Sequence, residues 1–369
     1  MNRISYDGIY HGELRKAIIS AINHEILQME EEFGFVRQEI YEIVVVGNST
    51  MRDILFKLDV QSIGQRPYKS MIEQAYLAGE RETTSLIEKT RRLGIRANPK
   101  AKVYGLPLIA SHVGADTAAV LAAVNMASKK ETVMLIDVGT NTEVVIGHAG
   151  QMLAASCPAG PAFEGGLVKY GMPGYDGAIE SVRWSNGQFE YDVIGDTQPH
   201  GLCGSGLIDL LAELRRHDQM TPKGVFADKK QYELSIVPEH GITLSREDAS
   251  NLAQAKAANY CGQFILIRHL GISPLDITEC HLAGGFANYV DIENAIQIGF
   301  LASVPKDRIT KIGNAAIQGA REVLISRQKR KSIEQLVKGI DHIELETTPD
   351  FFEVFVEGCQ FKPMPTQFK

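Results

Sequence analysis

The chain has 369 residues, 44% of them hydrophobic and 22% charged, with a formal net charge of −7. That is globular composition with apolar mass for more than one core, so two lobes are expected. The acidic balance argues against nucleic acid as a partner, no apolar run reaches the ~18 residues of a membrane span, and the N-terminus has no signal-peptide core, which points to a cytoplasmic protein.

In chain order, apolar residues at helical spacing predict a helix over residues 9–33. Ile43–Val46 reads as a strand, the next Gly-Asn-Ser-Thr as a turn, and MRDILFKL as a helix capped by Ser49 or Thr50. Residues 80–100 are charged and turn-rich and are expected on the surface. Val103–His112 looks like another strand, and an alanine-rich helix begins near Gly114. The polar stretch NMASKKET, residues 125–132, is the expected boundary between a first lobe, 1–128, and a second, 129–369.

Three strands open the second part: Val133–Val138, Thr142–Gly147 and Gln151–Ser156. Their short turns predict an antiparallel meander. Strand and helix alternate afterwards, with glycine-rich turns at GLCGSG, LAGGFANY and GNAAIQGA. The mixture predicts an α/β protein. The five cysteines, at 157, 203, 261, 280 and 359, form no CxxC pair and suggest neither a disulfide framework nor a metal cluster.

Chemistry concentrates at the end of the first meander strand, in DVGTNT. Asp137 ends an apolar run, so it emerges at the edge of a buried sheet. Gly139 lets the backbone turn tightly. Thr140, Asn141 and Thr142 offer short donors, and the amides of such a turn can converge on phosphate oxygens. Asp137 suits a magnesium ion held through water. An ordinary β-turn, with Asp137 bonded to the amides after it, explains the same pattern.

The strand ending in Gly284-Gly285 can lie against a flat base or a phosphate, or simply pack closely on a neighbour. Asp116, at the start of the alanine-rich helix, is either a cap favoured by the helix dipole or a carboxylate that positions the metal or the attacking water. Gly204 and Ser205 open a helix whose free amides can receive phosphate, though packing needs the same glycines. Glu164 is the one acid in the loop PAGPAFEGG. Gly313 starts a helix most simply read as one side of a tight helix crossing.

The order of these motifs resembles the actin-like ATPases (ASKHA proteins, with a ribonuclease H-like α/β fold). VVVGNSTMRDILFKLD, SHVGADTAAVLA, LIDVGTNTEVVIG, PAGPAFEGG, GLCGSGLIDLLAEL, QAKAAN, LAGGFANYVDIENAIQIGFL and GNAAIQGAREVLIS look, more narrowly, like the reductive activators of corrinoid-dependent enzymes. The likeness runs from about Arg3 to Pro365. It implies ATP and Mg2+ as ligands, with Asp116 and Asp137 catalytic, Asp137 also the metal ligand, and Gly139, Thr140, Asn141, Thr142, Gly204, Ser205, Gly284, Gly285 and Gly313 around the nucleotide.

The same resemblance implies ATP-dependent one-electron reduction of Co(II) to Co(I) in a corrinoid protein of a methyltransferase system. Relatives carry a 2Fe-2S domain and a first phosphate hairpin, and neither pattern occurs in this chain. The first lobe is therefore expected to be incomplete, with a separate chain supplying the iron-sulfur domain and a homodimer compatible with the sequence. A non-catalytic nucleotide- or corrinoid-binding module is the alternative. A sugar or acyl kinase of the same superfamily fits less well, because no substrate-base motif is recognisable.

Overall fold

The computed structural model describes residues 2–139 and 141–368. In chain order it runs α1 (Arg3–Ile9), α2 (Glu13–Phe33), β1 (Glu42–Val45), α3 (Ser49–Leu55), α4 (Met71–Leu77), β2 (Leu86–Lys89), α5 (Thr90–Leu93), β3 (Lys102–Gly105) and α6 (Ala115–Ala123). Then come β4 (Val133–Val138), β5 (Thr142–His148), β6 (Gln151–Cys157), β7 (Ala178–Ser185), β8 (Gln188–Val193), β9 (Gly201–Leu202) and α7 (Gly204–Arg216). After β10 (Glu233–Val237) and β11 (Ile242–Ser245) come α8 (Arg246–His269), β12 (Glu279–Ala283), α9 (Ile292–Gln297) and β13 (Ile309–Gly313). The chain ends with α10 (Ala315–Ile325), α11 (Arg327–Leu336), β14 (Ile340–His342) and α12 (Phe351–Gly358). Two compact units result: Met1–Lys129 with Asn314–His342, and Lys130–Gly313 with Ile343–Lys369.

In the first unit the helix expected over residues 9–33 is α2, beginning four residues later at Glu13, and a short helix not expected, α1, precedes it. α1 stops at Ile9, and Gly12, in the left-handed region, resets the chain before α2. Ile18, Ile19, Ile22 and Ile26, at helical spacing, turn one face of α2 onto the small core of Leu55, Ile72, Leu93 and Val103. β1 and β3 pair in parallel, and β2 joins the far side of β3 antiparallel. That β2, with α5, occupies the stretch expected to be surface turns: Leu86, Leu93 and Ile95 are few but buried.

The third strand is shorter than the sequence suggests. It stops at Gly105, because the carbonyl of the next residue, Leu106, goes to the guanidinium of Arg52 at 2.8 Å. Arg52 is itself buried, and it also donates to the Thr84 carbonyl and to Asp53. A buried charge is tolerated only with partners of this kind. α10 lies against α6, where a Cβ on Gly319 would sit 1.8 Å from the Ala119 carbonyl oxygen. Only glycine allows that approach, so the helix crossing expected of GNAAIQGA is present.

In the second unit five strands run in the order β13-β12-β4-β5-β6. β13, β12 and β4 are parallel, while β4, β5 and β6 form the antiparallel meander, its strand ends within one residue of those expected. The N-terminus of α8 carries a reciprocal cap, Ser245 with Asp248. The helix crosses β5 and β6 closely: a Cβ on Gly262 would lie 2.1 Å from the Cys157 sulfur. α7 packs on β7, and α12 closes over α8.

Candidate functional site

The run Val133–Ile136 is buried on both faces between β12 and β5, which is why it reads as unbroken apolar sequence. Asp137 comes where the burial relaxes. Beyond Val138 the Gly139 amide donates to the Asn141 carbonyl at 3.0 Å, which closes the turn and brings buried Thr142 opposite Val138. Thr140 falls outside the described residues.

Beside this hairpin β12 ends in Gly284 and Gly285. Gly284 has φ of +100°, and its amide donates to the Gly313 carbonyl at 3.0 Å. A Cβ there would lie 2.2 Å from the Val138 carbonyl oxygen, so the two strand ends touch backbone to backbone. Gly285 is the reverse: among the described residues, its chain neighbours aside, no atom lies within 4 Å of where its Cβ would be. It borders a pocket of about 210 Å³ whose wall includes Val138, Gly139, Thr142, Glu164 and Phe300.

Thus Gly139, Thr142 and Gly285, from separate parts of the sequence, share one pocket. Gly284 and Gly313 support it from behind through their hydrogen bond. Asn141 supplies the carbonyl that shapes the turn. Gly204 and Ser205 stand apart from the pocket wall. They begin α7 in buried surroundings, where the Ser205 hydroxyl meets the Cys203 sulfur at 3.3 Å. Next to them a Cβ on Gly206 would lie 2.3 Å from the Ile179 carbonyl oxygen, a packing requirement.

Asp137 faces Glu143 directly across the β4–β5 pair, with Ala283 on its other side. Both acids are half-buried. Glu143 also accepts from the Ser156 hydroxyl at 3.3 Å, and oxygen ligands of this kind suit a hard divalent cation. Neither acid lines the pocket: Val138 and Thr142, the neighbours on each strand, do, and successive side chains point to opposite faces of a sheet. The turn amides and the open face at Gly285 fit phosphate. Among the described residues no cluster of three or more His, Cys, Asp or Glu is arranged to hold a metal by protein ligands alone.

Asp116 belongs to the first unit. The Gly47 carbonyl accepts the amides of Ala115 and Asp116, at 3.1 and 3.4 Å, tying the GNST turn to the start of α6. A Cβ on Gly114 would lie 2.8 Å from the Asn48 Cα and 2.5 Å from the Asp116 carboxylate. Burial pushes the Asp116 pKa up, against the hydrogen bond from the Thr117 amide. The cap of α3 is Asn48, whose side chain accepts from the Met51 amide at 2.9 Å, in place of the expected Ser49 or Thr50.

Phe163 and Phe300 were not singled out by sequence reasoning. Their rings meet edge to face at 5.2 Å on the apolar side of the pocket. No local pattern joins them; only the loop PAGPAFEGG, with its lone acid, hinted at this wall.

A family model of the C-terminal ASKHA domain of RACo matches residues 131–369, and one of the RACo middle region matches residues 1–129. The corrinoid activation enzyme RamQ of Eubacterium limosum is 33% identical over a 387-residue alignment that covers 98% of this chain and 63% of the relative. The Co(II) methylated amine-specific corrinoid protein reductase of Methanosarcina barkeri is 23% identical, over 91% of this chain and 65% of its own length. A solved structure of a reductive activator for corrinoid, iron-sulfur protein superposes with a TM-score of 0.79 at 31% identity, covering 95% of this chain and 57% of that one. The chain thus spans less than two thirds of the length of these relatives.

Proposed function

The chain belongs to the RACo family, with its actin-like ASKHA fold, and from that premise we propose that it is the ATP-binding module of a reductive activator of corrinoid proteins. It supports ATP-dependent one-electron reduction of Co(II) to Co(I) in a corrinoid protein of a methyltransferase system. The observation that carries this reading is the meeting of Gly139, Thr142 and Gly285 on one pocket at the end of β4, the strand that carries Asp137.

The roles come from the chemistry of each group. The turn amides from Gly139 onward receive phosphate oxygens. Gly285, with no side chain, leaves room for the rest of the nucleotide, and Gly284 fixes that turn against Val138. Asp137 is assigned Mg2+, which it would hold through water from the end of β4 and which, when bound, would offset phosphate charge. Asp116 is assigned the role of catalytic carboxylate, and its raised pKa suits a group that handles a proton.

Adding an electron to Co(II) is uphill for a weak donor. A protein shifts a one-electron couple by about 59 mV for each ~1.4 kcal/mol by which it binds the two states unequally. A module whose grip on the corrinoid protein changes with ATP supplies that difference. The electron comes from an iron-sulfur donor, which is oxidised by one electron as Co(II) becomes Co(I), and a separate chain carrying the cluster can serve. The cysteines here are four buried and one half-buried, far apart in sequence.

The test is anaerobic visible spectroscopy of a cognate Co(II) corrinoid protein with an iron-sulfur one-electron donor, with and without this chain and Mg-ATP. Growth of the Co(I) spectrum only when chain and ATP are both present is expected. Reduction indifferent to ATP, or unaffected by Asp137→Ala, would overturn the reading.

A further inference from the structure

The middle of α8 is polar where a buried helix would be apolar. Lys256, Asn259 and Gln263 stand three and four residues apart, on one face of the helix, and all three are fully buried. Lys256 and Asn259 belong to the run QAKAAN, which the nucleotide site does not use. The Asn259 side-chain amide donates to the Phe300 carbonyl at 2.6 Å, and that of Gln263 donates to the same oxygen at 2.9 Å. The Gln263 side-chain oxygen accepts the Ala302 amide at 2.8 Å, and the two carboxamides are tied to each other at 3.2 Å. Lys256 donates to the Gln360 carbonyl at 2.8 Å, just past α12. That chain end presses on the same segment: Gly299 has φ of +74°, and a Cβ on it would lie 2.3 Å from the Lys362 carbonyl oxygen.

Phe300 is thus held at both of its backbone groups, since its amide donates to the Ala295 carbonyl at 2.8 Å. Its ring is part of the pocket wall, edge to face with Phe163. Packing alone does not call for this arrangement. Apolar side chains would fill the same volume without burying donors and acceptors that must all be satisfied. The net gain in stability from such bonds is small, because the same groups are bonded to water in the unfolded chain. What the carboxamides add is geometry. A carbonyl that accepts two N–H groups is fixed in distance and direction, whereas an apolar contact lets a ring slide. A binding wall that is loose by ~1 Å loses function in an intact fold.

We propose that Asn259 and Gln263 are positioning residues for nucleotide binding: acting through the Phe300 carbonyl and the Ala302 amide, they fix the Phe300 ring on the pocket wall and set the width of the site. Neither side chain lines the pocket itself. This rests on the nucleotide reading above.

Calorimetric titration with Mg-ATP, beside melting temperatures, compares the native chain with Gln263→Met, Asn259→Ser and Leu266→Val. The first keeps the side-chain length and removes the bonds to Phe300 and Ala302. The second is milder: its hydroxyl is too short for the Phe300 carbonyl, which keeps Gln263. The third trims a buried apolar residue of α8 outside the polar row and measures a purely structural loss. Affinity for Mg-ATP should fall roughly tenfold in Gln263→Met and about threefold in Asn259→Ser, while Leu266→Val lowers the melting temperature and keeps affinity within about twofold. Should Gln263→Met fail to fold, Asn259→Ser against Leu266→Val decides. Unchanged affinity in the carboxamide variants overturns the proposal and leaves the nucleotide site standing. A loss in Leu266→Val equal to theirs also overturns it, because affinity then follows stability alone. Failure of the native chain to bind Mg-ATP removes the nucleotide reading itself, and this proposal with it.

Discussion

Two strand–turn segments of this chain share a sequence plan and meet different physical demands. β12 ends in Gly284-Gly285 and β1 ends before Gly47-Asn48; each is followed by a helix and has a parallel neighbour later in the chain, β13 directly after α9 and β3 after α4, β2 and α5 have intervened. β12 has strands on both edges and is buried along nearly its whole length, whereas β1 is paired on one edge and half-buried throughout. At β12 the turn glycine is forced by the adjoining strand, since a side chain on Gly284 would strike Val138. At β1 nothing lies within 4 Å of the corresponding position on Gly47, and the constraint moves to Gly114, which faces the Asn48 backbone. The need for glycine is set by what approaches the turn.

That contrast orders the expected effects. Gly284→Ala meets both the left-handed φ and a 2.2 Å approach to backbone. It should cost about 4 kcal/mol of stability and abolish ATP binding, read by chemical denaturation and calorimetry. Gly114→Ala has an ordinary φ but must move the Asn48 backbone or the Asp116 carboxylate. It should cost about 2 kcal/mol and lower ATP turnover more than ATP affinity, because it displaces a carboxylate while leaving the pocket residues alone. Gly47→Ala should change stability by no more than about 0.5 kcal/mol, with a small gain from a less flexible unfolded chain. If Gly47→Ala proves as damaging as Gly284→Ala, steric approach is the wrong basis for the comparison.

What the sequence disclosed was mostly local. The meander strands, the closing turn of DVGTNT and the close helix crossing at Gly319 come from short apolar runs separated by tight turns and from glycine placed where backbones meet. The start of α2 was placed four residues early because apolar residues continue through Ile9 and Tyr10, and only the left-handed Gly12 backbone marks where the helix begins. β2 was hidden because it is four residues long with one buried side chain, Leu86, while Ile87 and Lys89 are exposed and charged Glu88 is half-buried. Asp137 beside Glu143 needed the strand register, and Phe300 against Phe163 needed the tertiary fold. A charged residue opposite another, or a ring brought from far along the chain, leaves no periodic trace.

The central claim places Mg-ATP on the second unit, against the β4–β5 turn and the end of β12. Hydrogen exchange read by mass spectrometry, with and without Mg-ATP, tests it most directly. Protection should rise in peptides spanning residues 138–142 and 283–285. No change in those peptides, or protection confined to the first-unit cavity between the end of α6 and α11, around Asn125, Lys329 and Ser332, would contradict the account.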